Sequence, residues 1–234
     1  MAPVLRVAGL RKDYGGLRPL RLEALTLEAR ARAAIVGLDG ASAEVFVSLI
    51  TGAALADEGT VEIFGRATSA ITDAGDWLET LDRFGVLSVR AALIEPLTIR
   101  QNLAMAFTLS VEPIPEDVLG RIQDLAAEAG LSSEDLAAPC ASASPMVRAR
   151  CQLGRALATS PDLLILEHAN GLVAGGDARA FARHVARAAE SRGAALLALT
   201  SDERFARAVA KTVLRLDPAS GGLVHLGGWR RWFS

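Results

Sequence analysis

Residues 33–45 read AAIVGLDGASAEV, and they carry the clearest structural signal in the chain. Ala33–Val36 is a continuous apolar run, which is typical of a strand buried on both faces of an α/β sheet. After Gly37, apolar residues such as Val45 and Leu49 recur at the i, i+4 spacing of a helix. The stretch therefore predicts a strand, a glycine loop and the start of a helix. In that geometry loop N–H groups and the helix dipole point at an anion, although many α/β domains turn this way without binding one.

Further strands and helices are predicted on both sides of this stretch. Gly59–Gly65 alternates apolar and polar residues between glycines, as an antiparallel strand does. Strands are also predicted at Val4–Val7, Leu25–Leu27, Leu163–Leu166, Ala194–Thr200 and Thr212–Leu216, and helices at Phe181–Ala189 and Phe205–Lys211. Because strands alternate with helices in the last third, that part predicts a parallel sheet.

Between about residues 97 and 158 the pattern is helical. One apolar stripe, which Gly130 ends, is formed by Leu119, Ile122, Leu125, Ala126 and Ala129. Pro113 and Pro115 precede the stripe and predict a linker into a helical subdomain.

The composition limits the class of protein. The chain has 234 residues, of which 51% are hydrophobic, and 27 acidic side chains against 25 basic ones. This balance argues against a nucleic-acid-binding protein, which carries a strongly basic face. No apolar run reaches the roughly 18 to 20 residues that span a bilayer, and the first residues lack a signal-peptide core. Cys140 and Cys151 have no metal-ligand neighbours in sequence and predict buried thiols in a reducing compartment. We therefore expect a cytoplasmic protein without a nucleic-acid partner.

Lysine is scarce, because Lys12 and Lys211 are the only two and every other Lys or Arg position holds arginine. The simpler interpretation of this imbalance is codon bias in a GC-rich genome. Any chemistry that needs a lysine is nevertheless limited to these two residues.

Seven segments, in their order along the chain, resemble the ATP-binding cassette subunit of ABC transporters. They are Leu10–Tyr14, Ile35–Val45, Leu49–Gly52 with Gly59–Val61, Leu97–Leu103, Arg148–Leu157, Pro161–Glu167 and Leu199–Glu203. The resemblance runs from about Val4 to Leu226. It implies an α/β, P-loop NTPase-like ABC ATPase fold with an antiparallel β subdomain and a helical subdomain. On this basis we predict one nucleotide-binding domain over residues 1–226, with the helical subdomain at about 97–158 and a tail at 227–234.

The resemblance also implies a set of sites for ATP and Mg²⁺. Adenine would stack on Tyr14, and Ser144 lies in the signature segment that meets the nucleotide of a partner subunit. The catalytic positions fall at Glu167, His168 and Ser201, and the metal positions at Glu44 and Glu167. The phosphate loop falls at Gly37, Gly40, Ala41, Ser42, Ala43, Glu44 and Val45.

Most positions that carry the family's chemistry are changed in this chain. Ala43 stands where the family has its phosphate-binding lysine, and Glu44 where it has a metal-binding hydroxyl residue. Glu167 replaces an aspartate, and His168, Ser201, Val89 and Val173 replace a glutamate, a histidine, a glutamine and an aspartate. The signature segment reads ASPMV at residues 143–147 and lacks both glycines, whose absence of a side chain permits close backbone approach.

The free-energy cost of the loop changes can be bounded. Losing one charge-assisted contact costs about 1.5–3 kcal/mol. A carboxylate about 4 Å from a phosphate charge adds about 4 kcal/mol of repulsion at an effective dielectric of 20. Together these terms lower the affinity for ATP on the order of 10⁴-fold. A Mg²⁺ ion bound by Glu44 would recover part of that loss.

We therefore expect the ATP-binding subunit of an ABC transport system that binds nucleotide weakly, hydrolyses ATP weakly or not at all, and acts by docking to a membrane permease. It would pair with a second ABC-type subunit and lie in the cytoplasm, peripheral to the inner membrane through the permease. Two alternatives stay open. One is a weakly active ATPase in which Glu44, Glu167 and His168 surround Mg²⁺, and the other is a soluble interaction module unconnected to transport.

Overall fold

The structure is a computed structural model that describes residues 2–227. The part of the predicted tail at residues 228–234 lies outside the described residues. In chain order the strands are β1 (Leu5–Lys12), β2 (Leu20–Leu27), β3 (Arg32–Val36), β4 (Glu58–Ile63), β5 (Arg66–Ala67), β6 (Phe84–Ser88), β7 (Leu163–Glu167), β8 (Ala195–Thr200), β9 (Thr212–Leu216) and β10 (Leu223–His225). The helices are α1 (Gly40–Ile50), α2 (Ala74–Leu81), α3 (Ile99–Ala104), α4 (Glu116–Ala129), α5 (Ser133–Ala137), α6 (Pro145–Leu157), α7 (Ala178–Arg192) and α8 (Glu203–Val209).

The strands form two sheets, as the sequence predicts. One sheet has four strands in the order β2-β1-β4-β5, and its neighbours are antiparallel. The other has six strands in the order β10-β9-β3-β8-β7-β6, and all its pairs are parallel except β9 with β10. β3 is central and its residues 33–36 are buried, because strands flank it on both sides and helices or the second sheet cover its faces. The mixed α/β architecture is therefore confirmed.

Two apolar cores lie on the two faces of the parallel sheet. Helix α1 packs between this sheet and the antiparallel sheet, and Phe46 and Ile50 are fully buried there. Helices α6, α7 and α8 cover the other face, where Phe181 and Phe205 are buried. Because both faces of β3 and the buried side of α1 are packed in these cores, the loop that joins β3 to α1 is held at both of its ends.

Helices α3–α5 and one face of α6 enclose a third apolar cluster. The stripe predicted for α4 is wrong in one member, because Leu119 is 36% exposed. Val118 takes the buried place, since residues 118, 122, 125 and 129 follow the 3.6-residue period of the helix and residue 119 is one step off it. Helix α7 holds the end of α4, where His184 Nε2 lies 2.9 Å from the Glu128 carbonyl oxygen.

The remaining differences from the sequence predictions have simple causes. The last predicted helix ends at Val209 rather than Lys211, because the chain turns into β9 at Thr212. Strand β6 was not predicted, since it is short, lies at the edge of its sheet and has Gly85 in its interior. A Cβ on Gly85 would overlap the Ala156 carbonyl oxygen, so this glycine lets α6 approach the strand closely.

Between residues 2 and 227, no helix combines the length and the hydropathy that crossing a bilayer requires.

Candidate functional site

The loop between β3 and α1 brings a carboxylate to the start of the helix. Asp39 is the N-cap residue, and its Oδ1 accepts hydrogen bonds from the Ser42 backbone N–H at 2.8 Å and from Ser42 Oγ at 2.6 Å. The Ser42 hydroxyl and then the Ser42 N–H hold the pKa of Asp39 below its usual range. The helix start is thus already capped by an anionic side chain of the protein itself. This role of Asp39 is not among the sequence predictions, although an Asp directly before a helix start is itself an N-cap signal.

The loop also runs close against β9. Gly37 has φ +105°, and a Cβ there would lie 2.9 Å from the Leu216 carbonyl oxygen. A glycine is needed at this position because its backbone conformation and the approach of β9 both exclude a side chain.

The two positions that follow Ser42 are placed differently. Ala43 is completely buried in the apolar core, whereas Glu44, the next residue of α1, has a half-exposed side chain. Gly40 and Ala41 are exposed, and Val45 is partly buried. The loop segment of residues 37–45 therefore contributes no cationic side chain of its own.

The cation at this site comes from elsewhere in the chain. Arg90, two residues after β6, donates from Nε to Glu167 Oε1 at 3.0 Å and from Nη2 to Glu167 Oε2 at 2.8 Å. Its Nη1 lies 2.5 Å from Glu44 Oε1. We call these three residues the Arg90 cluster. The hydrogen bond with Glu167, and the negative charges of Glu167 and Glu44, raise the pKa of Arg90, so its guanidinium is permanently charged.

The Arg90 cluster joins the two residues that sequence analysis assigned to a metal. Glu167 is 2% exposed, and both of its carboxylate oxygens accept from Arg90. Val89, predicted at a family glutamine position, is 47% exposed, and its neighbour Arg90 makes these contacts instead. No local pattern in the sequence indicates this role of Arg90, because Glu167 is 77 residues away. Within residues 2–227, no group of three or more His, Cys, Asp or Glu side chains is placed to hold a metal ion.

The residues assigned to catalysis do not form a connected set in the part of the chain that the structure describes. Glu167 is bound to Arg90, whereas Ser201 is exposed and its side chain makes no hydrogen bond to any described residue. His168 has a left-handed backbone with φ +47°, and its N–H donates to the Leu199 carbonyl at 2.8 Å. Its Nε2 is buried and has no hydrogen-bond partner among residues 2–227. The sequence assignments of these three residues to catalysis stay predictions.

A cavity of about 460 Å³ adjoins the loop on the side of Tyr14. Tyr14, Leu38, Asp39, Ser42 and Leu216 contribute to its wall. Burial, and then the negative charge of Asp39, raise the pKa of the Tyr14 hydroxyl. The structure thus brings Tyr14 to one cavity with three of the predicted phosphate-loop residues, Gly37, Ala41 and Ser42.

Ser144 lies apart from that cavity, at the exposed start of α6. It is the N-cap residue, its Oγ accepts from the Val147 N–H at 3.3 Å, and Pro145 follows as the first helical residue. Proline at the first helical position has no N–H to offer a ligand.

Curated proteins similar to this chain are ATP-binding proteins of import systems. A "Methionine import ATP-binding protein MetN" of Mesorhizobium japonicum is 25% identical over 224 residues, which cover 96% of this chain and 60% of that protein. A "Fe(3+) ions import ATP-binding protein FbpC 1" of Rhodococcus jostii is 29% identical over 168 residues, covering 71% of this chain and 46% of that protein. The chain therefore spans 60% or less of the length of these two relatives. No protein-family model matches the sequence.

Solved structures with the same fold are ABC cassettes. The cbiO1 protein of Clostridium perfringens, part of an ABC transporter complex, has a TM-score of 0.77 at 13% identity over 96% of this chain and 88% of its own. The dimeric ATP-binding cassette MJ0796, bound to ADP and Pi, has a TM-score of 0.72 at 18% identity over 96% of this chain and 100% of its own. These comparisons confirm the resemblance to ABC ATP-binding subunits and the ABC ATPase cassette fold.

Proposed function

We propose that this chain, which has the fold of an ABC ATPase cassette, serves an ABC import system as a cassette subunit that binds nucleotide weakly and does not hydrolyse it. It acts by docking to a membrane permease and by pairing with a second cassette, on the cytoplasmic side of the inner membrane. The similarity to methionine and iron import ATP-binding proteins supports the transport role.

The loop between β3 and α1 carries the proposal that hydrolysis is absent. Where a triphosphate would need cationic and N–H donors, Ala43 is buried in the core and the Asp39 carboxylate accepts the Ser42 N–H. The missing charge-assisted contact alone costs about 1.5–3 kcal/mol. That loss corresponds to about 10- to 150-fold in affinity. The fixed charge of Asp39 adds repulsion, since it stays ionised at neutral pH.

The residues present do not fit a magnesium–triphosphate group. Both oxygens of Glu167, and one of Glu44, are already engaged by Arg90. The buried Nε2 of His168 has no hydrogen-bond partner among the described residues, so no carboxylate there positions this nitrogen as a base. These contacts count against a rearranged ATPase site built from Glu44, Glu167 and His168.

The cavity beside Tyr14 supports weak nucleotide binding. It has room for a nucleobase beside the Tyr14 ring, and Arg18 and Arg21 also line it, while the phosphate loop at residues 37–45 contributes no cationic side chain. We therefore assign what affinity remains to the base and ribose and to contacts with these two arginines rather than to the phosphate loop.

A groove of about 250 Å³ offers the place for a permease contact. It lies between β6 and α6, and Val86, Ala91, Ala106, Gln152 and Arg155 contribute to it. Val86 stands on an edge strand and is 37% exposed. The nearby stretch Leu97–Phe107 is a poor target for substitution, because Ile99 and Leu103 are completely buried.

Two experiments test the proposal. The purified chain should hydrolyse Mg-ATP no faster than a protein-free blank. A hydrolysis rate that disappears in His168→Ala or Glu167→Ala would contradict the proposal. When the tagged chain is purified from membranes of its own host, a multi-span permease and a second cassette chain should co-purify with it and be identified by mass spectrometry. Val86→Asp should abolish that recovery, whereas Leu55→Asp, at an exposed apolar residue outside the groove, should not.

A further inference from the structure

The Arg90 cluster joins three separate elements of the fold. Glu44 belongs to α1, Glu167 ends β7, and Arg90 follows β6. Strands β6 and β7 are parallel neighbours with Ser88 in register with Glu167. The Arg90 N–H donates to Ser88 Oγ at 3.1 Å, which turns the chain back over the end of β7. Sheet register therefore delivers the guanidinium to Glu167.

Burial makes a cationic partner for Glu167 obligatory. A carboxylate that is 2% exposed has lost its hydration, and an ionised group in that position needs a charged, hydrogen-bonded partner. The planar guanidinium meets both oxygens at once, and its third contact reaches Glu44. Hard divalent cations prefer the same oxygen ligands. Arginine and a divalent cation are thus competitors for one pair of carboxylates.

We propose that Arg90 is a built-in cation that replaces a divalent metal at Glu44 and Glu167 and makes ligand binding at this site independent of metal. Arg90 then determines the specificity of the site for metal-free ligands, so the Tyr14 cavity accepts nucleotide without Mg²⁺. The chain after β6 keeps its position whether nucleotide is present or absent. The part about nucleotide rests on the proposed function, whereas metal exclusion at Glu44 and Glu167 is tested without nucleotide and holds even if the partners proposed above are wrong.

The primary test is Mn²⁺ binding by the full chain without nucleotide, followed by the electron paramagnetic resonance signal of free Mn²⁺. Wild type should leave the signal unchanged at millimolar Mn²⁺. Arg90→Gln should bind about one Mn²⁺ at least about tenfold more tightly than wild type, because two carboxylates lose their cation. Adding Glu44→Gln to that variant should remove the gain.

Arg11→Gln is the matched control. Arg11 pairs with Glu58 at 2.7 Å on the surface, so removing its guanidinium exposes only one solvated carboxylate. It should bind no more Mn²⁺ than wild type. Wild type that binds one Mn²⁺ as tightly as Arg90→Gln would overturn the inference, and so would a folded Arg90→Gln without added affinity.

A second measurement needs no variant. Hydrogen exchange of residues 89–98 in wild type should be the same with nucleotide in EDTA, with nucleotide and Mg²⁺, and without nucleotide. The affinity for nucleotide, measured by calorimetry, should also be equal in EDTA and in Mg²⁺. Protection of residues 89–98, or tighter binding, that requires Mg²⁺ would contradict the role of Arg90, whether or not the chain hydrolyses ATP.

Discussion

Replacing Arg90 by glutamine should destabilise the fold far more than its half-exposed position suggests. The substitution leaves Glu167, which is 2% exposed, as an ionised carboxylate without a cationic partner. Removing one partner of a fully buried ion pair costs about 3–5 kcal/mol. Arg90 is 48% exposed, so solvent screens part of the interaction and the expected loss lies near the lower end, about 3 kcal/mol.

The assays are urea unfolding and thermal unfolding at neutral pH, each followed by circular dichroism. For a chain of this size, about 3 kcal/mol corresponds to a fall in melting temperature of about 6–12 °C. Arg11→Gln provides the comparison, because its guanidinium is 39% exposed but its partner Glu58 is 63% exposed. That variant should lose less than about 1 kcal/mol. The two variants differ mainly in how deeply the remaining carboxylate is buried.

A double substitution tests the cause. Glutamine at position 167 carries no charge, so Arg90→Gln with Glu167→Gln should be more stable than Arg90→Gln alone. If Arg90→Gln costs no more than Arg11→Gln, or if neutralising Glu167 recovers no stability, the burial of an unpaired carboxylate is not what makes Arg90 necessary.

Three further outcomes follow from local geometry. Gly59 has φ +81° and a Cβ there would overlap a carbonyl oxygen of β1, so Gly59→Ala should lower the free energy of unfolding by more than about 3 kcal/mol or prevent folding. Gly65 has φ +83° with open space around it, so Gly65→Ala should lower it by about 1 kcal/mol, and equal losses in the two variants would contradict the crowding argument. Burial lowers the pKa of His184, so the unfolded chain binds more protons, and the free energy of unfolding should fall by up to about 1.4 kcal/mol per pH unit as the pH drops below about 6.5. His184→Gln should reduce this dependence on pH, and an unchanged dependence would show that other groups cause it. Burial raises the pKa of Cys151 to about 12, and Cys140 is equally inaccessible, so Ellman's reagent should titrate neither thiol at pH 8 in the native chain and both in denaturant.

Local sequence patterns were sufficient for much of the fold. The apolar runs at Ala33–Val36 and Leu163–Leu166 lie in buried parallel strands, and the helix after Gly37 follows from its i, i+4 spacing. Hydrophobic periodicity did not predict the elements that bury few side chains, because such elements lack a regular apolar pattern. No residue of α2 is buried, and β6 is an edge strand interrupted by a glycine. The buried position of Val118 instead of Leu119 needed the exact phase of α4, which residues far away in the sequence set by packing.

The candidate site was predictable only in part. Residues 37–45 lie together because they are adjacent in the chain, and the loss of the lysine at Ala43 is visible in the sequence alone. The capping role of Asp39 is also a local feature, because Asp is a preferred residue directly before a helix start. Which residues lie near Glu44 and Glu167 could not be read from spacing, since Arg90 is 77 residues from Glu167.

The sequence by itself therefore determined the order of strands and helices, the likeness to ABC ATP-binding subunits and the absence of a lysine from the phosphate loop. Only the tertiary structure decided what replaces the missing cationic chemistry. Parallel pairing of β6 with β7 and the packing of α1 beside β7 bring Arg90 between two carboxylates. Pairing of that kind depends on which strands become neighbours in the sheet, and a one-dimensional pattern of apolar residues does not contain that information.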